Sequence, residues 1–328
     1  MVICRTPFRI SFFGGGTDYP IWYKNHGGAV ISATINKYSY ITARWLPPYF
    51  DYKHRVRYFQ HEQTHSLEEI KHPSVRECAR YLNVQEGLEV VHNADVPAQS
   101  GLGSSSTFTV GMLHALHSLQ NRMPTKRQLA IEAIHVEQEL IGEAVGSQDQ
   151  TAAAFGGINY IRFNRVREID VDPVILSQER LLELQENLLL VFTGFSRSAS
   201  EMAKLQIAVT PHKTIELAAM TDLCDQALNC LTDEQKSLDE FGRLLKEQWR
   251  IKRGLTEKIS NPEIEGIYDL AIKNGALGGK LLGAGGGGFM LFYARKEQHE
   301  SIRTALHRRM FVPFRFDFTG SKIVYFSH

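Results

Sequence analysis

The stretch PAQSGLGSSSTFTVGMLHAL, residues 97–116, carries the reading of this chain. It follows an extended segment, LEVVHNADVP (88–97), and runs into a helical pattern in which Phe108, Met112, Leu113, Leu116 and Leu119 share a face. Between the two, Gly101 and Gly103 let the backbone approach a ligand closely. The free N–H groups at a helix start, with the positive end of its dipole, favour an anion. The hydroxyls of Ser104, Ser105 and Ser106 can bond phosphate or coordinate Mg²⁺. No lysine follows as in GxxxxGK[ST], and the glycine spacing is not GxGxxG, so a Walker loop and a dinucleotide turn are both excluded. Taken alone, the segment reads equally as a capped helix behind a serine-rich loop or as a phosphate cradle.

Two more glycine runs flank it. FRISFFGGGTDYP (8–20) is a strand that ends in Gly14, Gly15 and Gly16 and then delivers Asp18 and Tyr19. A carboxylate there can accept two hydrogen bonds from a diol, although a plain strand-ending turn has the same sequence. Arg9 either snorkels outward from that strand or points into a polar site. GAGGGGF (283–289) is costly to order, which argues for a backbone passing close to phosphates or to another lobe. Between the runs, EQELIGEAVGSQDQTAAAFGG places Glu137 at a helix end and Asp149 after a Gly-Ser turn. Such a pair can divide labour, one carboxylate holding Mg²⁺ and the other taking a proton; as isolated residues they read better as solvated surface acids.

The bulk composition limits the alternatives. A chain of 328 residues, 43% hydrophobic and 22% charged, has ample core for one large or two ordinary domains. A net charge of +1 offers no global attraction for nucleic acid or an acidic membrane, so any anion site is local. Four cysteines without a CxxC pair read as free thiols rather than a disulfide framework or zinc site. No run approaches the ~18 apolar residues that cross a bilayer, and MVICRTPFRI lacks the pattern of a signal peptide. A soluble cytoplasmic protein is expected. His61, His65 and His72 cluster by eye, but no Cys or acidic pattern converges on them, and a solvated loop is expected there.

Residues 8–13, 29–45 and 88–97 alternate as half-buried strands, and 187–194 (NLLLVFTG) reads as a strand buried on both faces. TKRQLAIEAIHVEQELIGE (125–143) reads as a helix started by Thr125. Beyond residue 198 the chain turns mostly helical, with Phe241, Leu244, Leu245 and Trp249 at helical spacing; a strand follows the third glycine run, and FRFDF (314–318) alternates near the end. The expectation is an α+β protein of two lobes, 1–185 and 186–328, with a site between them.

Together these elements resemble the kinase superfamily of galactokinase, homoserine kinase, mevalonate kinase and phosphomevalonate kinase (the GHMP kinases). Pro7-x-Arg9 leading into Gly14–Tyr19, then Pro97–Ser106, then Gly283–Gly288 stand in that superfamily's order, with a DQ element between the second and third. Within it, RTPFRISFFGGGTDYP, GGAVISATINKY, GSQDQTAAAFGG and TGFSRSASEM are similar to the D-glycero-D-manno-heptose 7-phosphate kinases. Galactokinases are expected to have Glu-His where this chain has Gly15-Gly16, which argues against galactose; fucokinase domains are the nearest competitor.

The resemblance implies an N-terminal lobe like the second domain of ribosomal protein S5 and a ferredoxin-like C-terminal lobe. It implies ATP and Mg²⁺ as cofactors and a small sugar phosphate as substrate. Pro97, Ser100, Gly101, Leu102, Gly103, Ser104, Ser105 and Ser106 would wrap the ATP phosphates, with Gly285 and Gly286 covering from the second lobe. Ser105 and Glu137 would hold the metal, Glu139 being the rival carboxylate. Asp149 matches the catalytic aspartate and Arg9 its basic companion, while Gly15, Gly16, Thr17, Asp18, Tyr19 and Gly287 would face the sugar. A substrate bearing its own phosphate needs a second basic site, for which Arg197 among Ser196, Ser198 and Ser200 is suited; Lys280 is a further candidate. The implied reaction is phosphorylation of the anomeric hydroxyl of heptose 7-phosphate, in nucleotide-activated heptose synthesis for capsule or other surface polysaccharide. The alternatives are an anomeric kinase for another sugar such as fucose, or a catalytically silent sugar-binding sensor.

Overall fold

The computed structural model describes residues 1–165, 168–194 and 199–327. Twelve strands are found among them, in chain order β1 (Val2–Phe13), β2 (Gly28–Trp45), β3 (His54–Arg57), β4 (His61–Thr64), β5 (Leu88–Ala94), β6 (Ile158–Phe163), β7 (Ile169–Pro173), β8 (Leu188–Phe192), β9 (Gly278–Leu281), β10 (Phe289–Tyr293), β11 (Met310–Phe311) and β12 (Lys322–Phe326). The first sheet runs β12-β1-β2-β5-β3-β4, with β6 on the other half of β2 and β7 beyond it. The second runs β11-β8-β10-β9 and is antiparallel throughout. The long β2 serves two neighbours: Gly28–Ala33 pairs with β6, and Ser39–Trp45 pairs with β5.

Of the two buried apolar clusters among the described residues, one joins the sheets. Helix Thr214–Thr232 packs on β1 and β2, and helix Asp239–Arg253 packs on β9, β10 and β1. Phe241 of the latter meets Phe12 and Phe13 edge-on, with centroids 5.3 and 5.1 Å apart. Such pairs add about 0.5–1.5 kcal/mol each beyond the area they bury. From Thr6 onward every residue of β1 is buried, because helices cover one face and the second lobe the other. A polar side chain on this strand must therefore find a partner inside the protein.

Lys280 illustrates this, and corrects the expectation of a phosphate contact. It lies on β9, 1% exposed, and its ammonium donates to the Ser11 and Phe12 carbonyls at 2.8 Å each. It is a strut between the lobes. FRFDF likewise departs from the strand its alternation suggests: only Phe316 bridges, to Ile35. Asp317 bends the chain there by accepting the N–H groups of Thr319 and Gly320 at 2.8 and 3.2 Å. The true last strand is β12, which lies beside β1 in the first sheet. The chain thus passes to the second sheet between β7 and β8 and returns at its end, and the limits 1–185 and 186–328 stay a proposal.

Two helix ends prepare the site. Helix Ser104–Leu119 begins at Gly103, with φ 77° and no side-chain cap, so its leading N–H groups stay available. The helix started by Thr125, whose hydroxyl accepts Gln128 N–H at 3.1 Å, is α-helical only to His135. It widens into a π turn over Val136–Ile141, an irregularity that the apolar spacing does not signal. That turn directs Glu137 into the protein, where it is fully buried.

Candidate active site

The cleft between the sheets is lined by side chains from β1, the Gly14–Tyr19 turn, the start of helix Ser104–Leu119, residues 143–149, and the second lobe. At its floor Arg9 meets Asp149. Arg9 Nε and Nη2 donate to Oδ1 and Oδ2 of Asp149 at 2.7 and 2.6 Å, and Nη1 donates to the Gly101 carbonyl at 2.7 Å. Arg9 is 3% exposed, so a carboxylate partner is what makes its burial tolerable. Asp149 sits in the first turn of helix Gln148–Phe155, where the dipole favours a negative charge. Of the two expectations for Arg9, the polar site is the one found.

Asp18 lies beside this pair. It is 2% exposed, with Oδ1 accepting Gly16 N–H at 2.9 Å and Oδ2 accepting Gln148 N–H at 3.3 Å. Burial pushes its carboxyl pKa up, and the nearby Asp149 charge adds to that. Residue 146 must be glycine, because a Cβ there would stand 1.8 Å from Asp18 Oδ2. Tyr19, Gly15 and Gly16 also line the cleft. Thr17 differs from the expectation of sugar contact: its hydroxyl sits 2.9 Å from both the Gly14 and Ala29 carbonyls and accepts Ala29 N–H at 3.2 Å. Its hydrogen-bonding capacity is spent closing the turn.

Three buried polar groups around Gly15 and Gly16 have atoms without a partner among the described residues: Ser11 Oγ, Gln148 Oε1 and Gln206 Nε2. All three residues line the cleft. A Cβ on Gly15 would lie 3.4 Å from both Ser11 Oγ and Gln148 Nε2, and one on Gly16 would lie 2.6 Å from Gln206 Nε2. An unpaired buried donor or acceptor costs about 1–3 kcal/mol, which a ligand hydroxyl would recover.

The glycine runs pack on each other. A Cβ on Gly101 would stand 2.6 Å from the Leu282 carbonyl, and one on Gly283 would stand 2.6 Å from Gly101 Cα. Phe289 N–H donates to the Ser100 carbonyl at 3.1 Å. Of the two explanations for the third run, close passage by the other lobe is therefore the one observed. Gly283 and Ala284 line the cleft, whereas Gly286 donates to the Ile259 carbonyl and Gly285 lies against Ile259. The assignments of Gly285 and Gly286 to nucleotide and Gly287 to sugar stay proposals. In the first run Gly101, Gly103, Ser104, Ser105 and Ser106 line the cleft; Ser100 and Leu102 are buried behind it and Pro97 is exposed.

The serines divide between two acids. Ser105 Oγ lies 3.5 Å from Glu143 Oε2, at the cleft wall. Ser106 Oγ donates to Glu137 Oε2 at 2.8 Å, Thr109 Oγ1 to Oε1 at 2.7 Å, and Gln150 Nε2 also reaches Oε2. Burial raises the pKa of both carboxyls, Glu137 to about 7, with the Glu143 charge contributing to the latter. Two neighbouring carboxylates and two hydroxyls, all hard oxygen donors, suit Mg²⁺, whose charge would relieve that repulsion. Glu139 is exposed and lies away from this cleft. Arg197 lies outside the described residues.

Lys252, Glu143, Gln148, Gln206 and Ser11 all line the cleft without having been singled out. One signal was present. Lys252 stands seven residues after Leu245 and three after Trp249, on the apolar stripe of its helix, where a lysine is out of place.

The chain is similar to known kinases along most of its length. Residues 71–157 match the model of the GHMP kinases N terminal domain, and residues 225–312 match that of the GHMP kinases C terminal. The chain is 31% identical over 333 residues to the D-glycero-alpha-D-manno-heptose 7-phosphate kinase of Campylobacter jejuni, covering 96% of each chain. Among solved structures, a D-glycero-D-manno-heptose 1-phosphate kinase from Bacteroides thetaiotaomicron superposes with TM-score 0.75 at 24% identity over 100% of both chains. Lactococcus lactis galactokinase, complexed with galactose, superposes with TM-score 0.75 at 18% identity over 98% of this chain and 94% of its own. Among the described residues, no helix is long and apolar enough to cross a membrane.

Proposed function

We propose that this chain, which belongs to the GHMP kinases and is an ATP-dependent sugar kinase, phosphorylates the anomeric hydroxyl of D-glycero-D-manno-heptose 7-phosphate. The product is the 1,7-bisphosphate, an intermediate toward nucleotide-activated heptose for surface polysaccharide. The observation that carries this choice of sugar is the likeness, over 96% of both chains, to a heptose 7-phosphate kinase.

In the proposed reaction Asp149 accepts the proton of the 1-hydroxyl as its oxygen bonds to the γ-phosphorus. The bond from that phosphorus to the β,γ-bridging oxygen breaks, and ADP leaves. The two bonds from Arg9 fix the carboxylate, and the guanidinium charge lies where negative charge develops. An anomeric hydroxyl is more acidic than an ordinary alcohol, so a modest base suffices. Asp18, with Ser11, Gln148 and Gln206, would hold the ring hydroxyls. Ser105, Glu143 and Glu137 would hold Mg²⁺, which when bound neutralises phosphate charge. Arg197 is proposed on sequence alone to take the 7-phosphate.

An ADP-release assay with heptose 7-phosphate, unphosphorylated heptose, fucose and galactose tests the reading. The highest kcat/KM is expected with heptose 7-phosphate, with a new anomeric phosphate resonance in the product by ³¹P NMR. Faster turnover of a free sugar would assign the enzyme to that sugar instead, and no turnover of any would favour a sensor.

A further inference from the structure

Helix Asp239–Arg253 contributes one charge to the cleft, and the reaction described above leaves it unused. Lys252 is 3% exposed and lines the cleft in company with Arg9, Asp18 and Asp149. Its ammonium donates to the Leu281 carbonyl at 3.3 Å and to the Gly283 carbonyl, on the turn that opens the third glycine run. Those are two of its three N–H donors. Among the described residues no carboxylate stands within 4.0 Å of it, so a buried cation is held by neutral carbonyls alone. A charge buried this way is costly unless an anion completes its shell.

We propose that Lys252 is a further residue of the phosphoryl-transfer site: its third N–H contacts the phosphoryl group as it passes from nucleotide to sugar, while the other two anchor the Gly283 turn. The reacting group must lie beside Asp149 and Arg9, and among the described residues Lys252 is the cation from the second lobe that lines the same cleft. The arrangement couples the lobes, since the charge that neutralises the phosphoryl group also holds the turn packed on Gly101. This inference rests on the kinase reading with Asp149 at its centre.

The titration behaviour gives it a distinctive signature. The charged groups facing Lys252 are Arg9, Asp18, Asp149 and Lys280. Burial, followed by the Arg9 charge, brings its pKa down to about 8, opposed by Asp18 and Asp149. The ammonium is therefore lost as pH rises through about 8 in the free enzyme. Bound phosphate favours the charged form, which moves the same loss to higher pH in the ternary complex.

The experiment compares Lys252→Met and Lys252→Arg with the native enzyme, with thermal melts confirming that each folds. Lys252→Met is expected to lower kcat by roughly 10²-fold, the usual cost of one donor to a developing charge, with a smaller change in the Kd for ATP. The native kcat/KM should fall above pH about 8, and Lys252→Arg, whose guanidinium does not titrate there, should lose that limb. A native limb retained by Lys252→Arg would overturn the inference. So would Lys252→Met turnover within threefold of native, or an effect confined to the KM of the sugar phosphate. If Lys252→Arg does not fold, absence of the limb from the residual activity of Lys252→Met serves, and its persistence there overturns the inference. Asp149→Asn separates the two claims: if it is active, the kinase centre is misassigned, whereas a dead Asp149→Asn beside a normal Lys252→Met removes Lys252 alone.

Discussion

Arg9 grips Asp149 through two parallel hydrogen bonds, 2.7 and 2.6 Å long, although 140 residues separate them in the chain. A strand of the first sheet and the first turn of a helix are thereby locked in one orientation. The planar fork of arginine makes this possible, and a lysine can offer only a point charge. Arg9→Lys is therefore expected to lower kcat by about 10²-fold or more while leaving the KM for ATP within a few-fold. Steady-state kinetics check this; turnover within threefold of native would show that the bidentate geometry is unimportant.

The pair Glu137 and Glu143 makes a second prediction. Glu137 is buried and Glu143 half-buried, each beside a serine hydroxyl of the glycine loop, whereas Glu139 is exposed. Glu137→Gln and Glu143→Gln should each raise the Mg²⁺ concentration for half-maximal activity by about tenfold or more, as loss of a charged oxygen ligand does. Glu139→Gln should leave it unchanged. A Mg²⁺ shift confined to Glu139→Gln would relocate the metal.

Around the sugar, Ser11 and Gln206 have polar atoms without partners among the described residues. Ser11→Ala and Gln206→Ala should raise the KM for the sugar about 5- to 50-fold, the range expected for one lost hydrogen bond in a buried site. The KM for ATP should stay within twofold. An equal rise in both constants would mean that these residues support the cleft rather than read the sugar.

Stability should fall in acid for a reason that lies outside the cleft lining. Burial lowers the pKa values of His72, His92 and His114 to about 4, with His72 stacked on Phe108 at 4.5 Å and His92 edge-on to it at 4.8 Å. Each is neutral when folded and takes up a proton near pH 6.5 when unfolded, so folding favours the unprotonated form. This contribution is full above pH about 6.5 and is lost as pH falls toward about 4. His72→Phe should flatten that part of a urea-denaturation profile against pH; an unchanged slope would show that His72 does not titrate there.

Much of this was legible in the residues. Glycine runs mark close backbone approaches wherever they occur, so the Gly101 and Gly283 contacts could be anticipated, and Arg9 read either as snorkelling outward or as pointing into a polar site, of which the second is found. The π turn at Val136–Ile141 could not be read, because its apolar spacing is that of an ordinary helix. Nor could Gln206 or Glu143, polar residues in helical or loop context that only tertiary packing brings beside Gly16 and Ser105. Thr17 and Lys280 were misread for one reason: a polar residue beside a functional motif can equally well serve the fold's own carbonyls.

The central claim is that Asp149 takes the substrate proton at a site where ATP binds independently of it. The most direct measurement is single-turnover phosphoryl transfer by Asp149→Asn, made together with its ATP affinity. The account predicts a loss of about 10³-fold or more in the transfer rate, the scale of a positioned general base, with ATP affinity within threefold of native. Transfer at a near-native rate by Asp149→Asn would contradict it.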